Sequence, residues 1–151
     1  MKQLVVSCFL IICISCGSYY YSECYTLNMS DNSLILEIRN FKKQHPEFKV
    51  MTTFENGKRG EMHDGLDSRG VFYSSYFYIE DQHMTLHCTI NMSKEMPSKS
   101  STIQLIGISQ SSNFGNWKRI NSKDLSRKQN AQIKEIFENR ILKKLGKWAN
   151  H

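Results

Sequence analysis

Proline and long apolar runs are scarce in this chain of 151 residues. It has only two prolines, Pro46 and Pro97, and no internal repeat or low-complexity run. After the first 16 residues, no apolar stretch approaches the roughly 20 residues that a membrane-spanning helix needs. With 40% hydrophobic and 23% charged residues, the composition is that of one folded globular domain behind a leader, and it argues against disorder.

The sequence also lacks the short motifs of several enzyme classes. It has no Gly-rich phosphate loop, no G-x-S-x-G motif and no H-E-x-x-H motif. His83 and His87 do not form a metal site, because residues four apart on a strand lie on the order of 13 Å apart. We therefore predict no metal and no other cofactor. His63 and Asp64, with Glu61 nearby, are a candidate acid–base group, although such residues in a glycine-rich loop are commonly turn residues.

Positive charge is concentrated at the C-terminal end of the chain. The formal net charge is +6; residues 118–151 contain ten Lys/Arg and three Asp/Glu, whereas residues 17–117 contain nine and eleven. This asymmetry is compatible with an anionic partner, such as phospholipid head groups or an acidic protein, and nucleic acid is not the partner we predict; a solvated helix face is the interpretation we favour. Lys143, Lys144 and Lys147 would make that contact. In the alternative interpretation they are solvated charges that complement the helix dipole.

Residues 1–15 have the features of a signal peptide. Lys2 supplies a positive charge, and Leu4–Ile14 form an apolar core that is short for a transmembrane helix. The core is followed by a small residue, Ser15, and then by Cys16. These features predict export from the cytoplasm.

The sequence Ser15-Cys16-Gly17 resembles the lipobox of bacterial lipoproteins, in which a small residue precedes an obligatory cysteine. The resemblance implies cleavage before Cys16, acylation of its sulfur, and a lipid anchor in a membrane of the cell envelope. Residues 16–29 would then be a lipidated tether. Because Gly17 is not Asp, the resemblance favours the outer membrane and leaves the periplasmic and the surface-exposed side open.

A secreted eukaryotic protein is the alternative to a bacterial lipoprotein. The same leader could end at a small-x-small cleavage site. Asn28 and Asn91 each begin an N-x-S acceptor for glycosylation. Such three-residue motifs occur often by chance, so we prefer the lipoprotein interpretation.

Residues 30–151 have the periodicity of a single α+β domain. Apolar stripes predict one helix over residues 31–44, which Pro46 ends, and another over residues 127–145. The segment between them contains four or five strands, and residues 83–92 alternate most cleanly between apolar and polar side chains. We predict an antiparallel sheet of four or five strands with an N-terminal and a C-terminal helix packed on one face.

Two cysteines follow the predicted lipidation site. Cys24 and Cys88 are a candidate disulfide, because the envelope outside the cytoplasm is oxidising. In the alternative, Cys88 is a small buried apolar residue and Cys24 is a free thiol.

An aromatic strand over residues 71–80 supplies the main candidate contact surface. One of its faces carries Phe72, Tyr76 and Tyr78. If the helices cover the other face, this one stays exposed, and Tyr is enriched where proteins bind each other. The Tyr-rich tether could cover it instead.

These features predict a non-enzymatic envelope lipoprotein whose domain binds another protein, either in envelope upkeep or as a small inhibitor or immunity factor. One alternative is an enzyme that acts on an envelope polymer at His63 and Asp64. Another is a module that binds anionic lipid or a polyanion through the basic C-terminal helix. A concave pocket at His63 would favour the enzyme, and a flat aromatic sheet face would favour the protein-binding domain.

Overall fold

A computed structural model describes residues 21–54, 56–92, 99–110 and 116–150 of the protein. The helices and strands of these residues are, in chain order, β1 (Glu23–Leu27), α1 (Asp31–Gln44), β2 (Met51–Thr53), β3 (Arg59–Glu61), β4 (Gly65–Leu66), β5 (Phe72–Ile79), β6 (Met84–Asn91), β7 (Ser101–Ser109), β8 (Lys118–Arg119), α2 (Arg127–Phe137), α3 (Lys143–Leu145) and β9 (Trp148–Asn150).

A seven-stranded sheet is the centre of the fold. Its strand order is β4-β5-β6-β7-β1-β9, with β8 paired to β7, and these pairings are antiparallel. β2 and β3 form a separate hairpin. The α+β class, the large antiparallel sheet and the C-terminal helix are confirmed. The predicted four or five strands are too few, because β4, β8 and β9 have only two or three residues each and show no alternation in the sequence.

β1 corrects the predicted boundary between tether and domain. Residues 23–27 belong to the predicted tether, residues 16–29, yet they pair with β7 on one side and with β9 on the other. Tyr25 and Leu27 are fully buried. The last part of the predicted tether is therefore an interior strand, and the folded domain begins before Ser30.

The helices cover one face of the sheet. Phe41 of α1 lies 6.2 Å from Phe77 of β5, measured between ring centroids, and Phe137 of α2 lies 5.4 Å from Tyr25 of β1. The cross-strand register places Phe77 and Tyr25 on the same side of the sheet. The core therefore lies between this face and the helices, and the opposite face, which we call the open face, carries no helix in the described part of the chain.

α1 begins and ends at clear local signals. The Ser30 hydroxyl accepts a hydrogen bond from the Ser33 N–H at 3.3 Å, which satisfies a free donor of the first turn. At the other end, Pro46 disfavours helix at the preceding residue, and His45 leaves the helical region with φ −127°. Lys42 is buried on the apolar side of this helix, which is a departure from the amphipathic pattern.

The C-terminal helix starts with the predicted capping box. The Ser126 hydroxyl accepts from the Gln129 N–H, and the Gln129 side chain accepts from the Ser126 N–H. Between α2 and α3, Glu138–Leu142 form a π-helical turn. This wider turn changes the phase of the helix, and two consecutive residues, Ile141 and Leu142, are both fully buried.

Candidate functional site

An aromatic cluster occupies the open face of the sheet. Tyr76 of β5 and His87 of β6 are directly opposite each other in the strand register, and their rings stack with centroids 4.7 Å apart and an angle of 14°. The Trp117 ring lies 5.5 Å from the His87 ring and 6.2 Å from the Tyr76 ring. We call Tyr76, His87 and Trp117 the aromatic patch, because their three half-buried rings lie side by side on this face.

Gly107 allows Trp117 to reach this patch. In the register, Gly107 is opposite His87 on one side and opposite Arg119 of β8 on the other. A Cβ atom at position 107 would lie 2.5 Å from the backbone oxygen of Lys118. Only glycine therefore lets β8 approach β7 so closely, and β8 holds the preceding residue, Trp117, beside the His87 ring.

The aromatic patch is uncharged at neutral pH. Burial lowers the pKa of His87 to about 4, so its imidazole is neutral. Desolvation by burial raises the pKa of Tyr76, so its phenol also stays neutral. The Nε2 atom of His87 lies 3.4 Å from the Ser74 hydroxyl, which orients the ring without adding charge.

Phe72 and Tyr78 extend the patch along β5, since they lie four and two residues from Tyr76, respectively, and share its face. Both side chains are half-buried. The alternation of the sequence identifies these three aromatic residues, and it also places His87 on the polar face of its strand. It does not identify Trp117, which precedes a strand of two residues and follows no periodic pattern.

A buried ion pair lies at the edge of β5. Lys42 Nζ donates to Asp64 Oδ1 and Oδ2 at 2.7 and 2.6 Å, to the Ser75 hydroxyl at 3.1 Å and to the Tyr76 carbonyl at 2.6 Å. Asp64 also accepts from the Ser75 hydroxyl at 2.9 Å and from the Tyr76 N–H at 3.1 Å. The pair thus forms hydrogen bonds with both the N–H and the carbonyl of Tyr76, as a neighbouring strand would. It does so at the edge of β5 next to the first residue of β4.

The ion pair is closed to solvent on most sides. The two side chains are each 10% exposed, and the Lys42 ammonium lies 4.5 Å from the centroid of the Phe77 ring. Burial lowers the pKa of Lys42, and the neighbouring Asp64 carboxylate opposes this shift. A spacing signal for this burial exists in the sequence, because Lys42 follows the buried Ile35 and Ile38 by seven and four residues.

His63 and Asp64 lie in different environments although they are adjacent. His63 is exposed, whereas both carboxylate oxygens of Asp64 accept from Lys42. No hydrogen bond joins His63 to Asp64 within the described residues. Glu61, the third member of the predicted acid–base group, pairs with Lys49 at 3.0 Å.

The candidate disulfide between Cys24 and Cys88 is not formed. Cys88 is a free, buried thiol, whereas Cys24 takes part in a disulfide, so the two are not bonded to each other. They lie on β1 and β6, and β7 runs between these strands. Two strand spacings are about 9–10 Å, beyond the roughly 7 Å limit for the Cα atoms of a disulfide. The register also places the two side chains on opposite faces of the sheet.

The remaining predicted site residues lie away from the patch. Lys143 and Lys144 in α3 and the following Lys147 are exposed, and Lys143 Nζ donates to Asn139 Oδ1 at 2.5 Å. Cys16, the predicted lipidation site, lies outside the described residues.

Comparisons with known proteins give no match: no family model, no curated protein and no solved structure is similar to the chain. Within residues 21–54, 56–92, 99–110 and 116–150, no helix is long and apolar enough to cross a membrane. The same residues contain no group of three or more His, Cys, Asp or Glu side chains placed to hold a metal ion.

Proposed function

We propose that the protein is a lipid-anchored envelope protein whose domain binds another protein through the aromatic patch and catalyses no reaction. The observation that carries this proposal is the stacked cluster of Tyr76, His87 and Trp117 on a sheet face that no helix of the described residues covers. Aromatic side chains of this kind dominate the energetic centres of protein interfaces.

The chemistry of the patch indicates the chemistry of the partner. The three rings carry no charge at neutral pH, so a charged group of the partner would lose hydration without gaining a counter-charge. The matching surface is therefore a protein segment with aliphatic side chains and few charges. Binding of such a segment depends little on salt, because it involves no ion pairs.

The acid–base residues support a non-catalytic role. Asp64 is held by Lys42, and Glu61 by Lys49, so neither carboxylate near His63 is free of a cationic partner. A general base needs a proton-accepting group that can reach the substrate. The ion pairs give these two carboxylates a structural role instead.

The partner is best identified by site-specific photocrosslinking in envelope membranes with the full chain. A photoreactive phenylalanine analogue at position 76 or 117 is expected to capture the same partner. The same analogue at position 54 is the control, because Phe54 is an aromatic residue that is 45% exposed and lies next to the separate β2–β3 hairpin.

The purified partner then allows a quantitative test. Trp117→Ala should weaken its binding by about tenfold or more, the usual effect of truncating a central aromatic residue, whereas Phe54→Ala should leave it unchanged. The affinity should stay similar between about 0.05 and 0.5 M salt, since uncharged contacts are not screened. Equal capture from position 54, or a steep loss of affinity with salt, would contradict the proposal.

The lipid anchor has a separate test. Cys16→Ala should leave an uncleaved precursor that takes up no labelled fatty acid, because the sulfur that accepts the acyl chains is gone. Two or three acyl chains hold a protein firmly, at about 0.8 kcal/mol for each buried methylene, whereas the uncleaved variant would be held only by the apolar core of its leader. Undiminished labelling of this variant would rule out Cys16 as the lipidated residue.

A further inference from the structure

A small cleft lies beside the buried ion pair, between α1 and the segment that carries Glu61 and His63. Its volume is about 210 Å³. Typical small-molecule sites start at roughly 300 Å³. The cleft therefore suits a single chemical group better than a whole large ligand.

The cleft has an excess of positive charge. Four cationic and two anionic side chains line it, which leaves a net charge of +2. The two carboxylates are neutralised by Lys42 and Lys49, in pairs of 2.6 and 3.0 Å. Arg39 and Lys43 form no ion pair with any residue that the structure describes. The excess charge therefore belongs to these two side chains.

Arg39 and Lys43 are arranged for a shared anion. They lie four residues apart on α1, so they project from the same side of the helix one turn apart. The Arg39 guanidinium lies 5.8 Å from the centroid of the Tyr73 ring. A cation–π contact at this distance is not a hydrogen bond, so the N–H donors of the guanidinium stay available to an oxyanion.

We infer that this cleft binds a phosphate monoester group, held by the edge of the Arg39 guanidinium and by the Lys43 ammonium. A phosphate monoester carries a charge of about −1.5 to −2 at pH 7, which matches the excess charge of the cleft. Arginine offers a planar pair of donors to phosphate, and lysine adds a point charge. The cleft is formed by α1, β5 and the residues before β4 and does not include the aromatic patch, so this site is independent of the proposed protein contact.

Calorimetric titration of the full chain with inorganic phosphate tests the inference. The protein is kept in a non-ionic detergent, and ionic strength is held constant with sodium chloride. The wild type should show one saturable site with a dissociation constant on the order of 1 mM. Arg39→Gln and Lys43→Gln should each weaken binding by about fivefold to tenfold, the size expected for a lost charge-assisted hydrogen bond that is partly exposed, and the double variant should show no saturable binding.

Two controls separate this site from general charge effects. Lys128→Gln removes an exposed lysine of α2 and should leave the titration unchanged. Arg39→Lys keeps the charge but loses the planar donors, so its affinity should fall between those of the wild type and of Arg39→Gln. An absence of saturable binding to the wild type, or equal binding by the double variant, would overturn the inference.

The source of the phosphate group is resolved by a competition arm. Phosphatidic acid dissolved in the same detergent micelles presents the same group on a lipid. If its addition weakens the apparent affinity of the wild type for free phosphate, the lipid head group enters the cleft. Saturable phosphate binding that phosphatidic acid does not weaken identifies a soluble phosphate monoester as the ligand.

Discussion

Lys42 is the charged residue of α1 that is buried where the amphipathic pattern of the helix has apolar side chains. It occupies an apolar position of the helix and is stabilised there by Asp64, which is distant in sequence. Four acceptor atoms surround its ammonium group, and buried charges persist in proteins when they are paired and hydrogen-bonded in this way. Spacing within α1 can predict that Lys42 is buried, but its partner depends on how the loop before β4 folds against β5.

Replacing Lys42 by Met should destabilise the protein strongly. Asp64 would keep its charge in a site where it is 10% exposed, and removing one partner of a buried pair typically costs about 3–5 kcal/mol. Urea denaturation measures this free energy of unfolding. The matched control is Lys43→Met, an exposed neighbour that should change stability by no more than about 0.5 kcal/mol. Equal effects of the two changes would show that the ion pair contributes nothing.

His87 should give the protein a distinct pH dependence. Its pKa falls from 6.5 to about 4 because burial disfavours the charged ring. Between these two values the unfolded chain binds a proton at His87 and the folded chain does not, so stability decreases as the pH falls from 6.5 to 4. The slope from this residue is at most about 1.4 kcal/mol per pH unit.

Urea denaturation at several pH values checks this dependence, with His87→Gln as the variant that lacks the titrating group. As the pH falls below 6.5, the free energy of unfolding should decrease more steeply for the wild type than for the variant. Above pH 6.5 the two proteins should show the same dependence on pH. A proton NMR titration of the His87 ring with a midpoint near 6.5 would contradict the account.

At the scale of elements, the long strands and the helices follow from sequence patterns, and the short strands do not. β5 and β6 span residues 72–79 and 84–91, within one residue of the ranges that alternation predicts, 71–80 and 83–92. Alternation needs several residues to be visible, and the five residues of β1 are too few for the sequence to distinguish them from a tether. The same holds for the aromatic patch. Alternation in β5 and β6 predicts which face carries Tyr76 and His87, whereas the position of Trp117 depends on the close approach of β8 to β7 at Gly107.

Phe137 tests whether the C-terminal helix is essential to the fold. Its side chain is fully buried and contacts Tyr25 of β1. Phe137→Ala should therefore cost about 3–5 kcal/mol, a large share of the stability of a domain of this size, and lower the melting temperature sharply. Lys128→Ala is the control on the exposed side of the same helix and should leave the melting temperature unchanged.

Lys134 would be an unsuitable control for this experiment. Its ammonium lies 2.5 Å from the Glu23 carboxylate, and the two side chains are only 25% and 17% exposed. This pair connects α2 to β1, so its loss should also be destabilising.

A melting temperature that falls equally in Phe137→Ala and Lys128→Ala would contradict the prediction for Phe137. It would show that the apolar side of the helix is not what holds it to the sheet.

At the scale of the whole molecule, the pairing of β1 and β9 shows where the basic C-terminal lysines lie on the domain. The chain enters β1 at Glu23, and β9 pairs with the far end of that strand, where Trp148 is opposite Leu27. Lys147 therefore lies near the Leu27 end of β1, at the opposite end of the strand from Glu23. Lys143, Lys144 and Lys147 are exposed at the end of the C-terminal helix, where their charges complement the helix dipole.

The final prediction concerns Lys143, Lys144 and Lys147. We expect a chain of residues 17–151, which lacks the anchor, to bind anionic vesicles no better than a variant in which these three lysines are Gln. The Debye length falls from about 10 Å at 0.1 M salt to about 3 Å at 1 M, so a true electrostatic contact would weaken steeply over that range. Vesicle co-sedimentation at low and high salt distinguishes the two interpretations. Binding that is strong at low salt, lost at high salt and absent in the triple variant would assign these lysines to an anionic membrane surface. Equal sedimentation of the two proteins at low salt would identify their main role as complementing the partial negative charge at the helix end, a role that requires no partner.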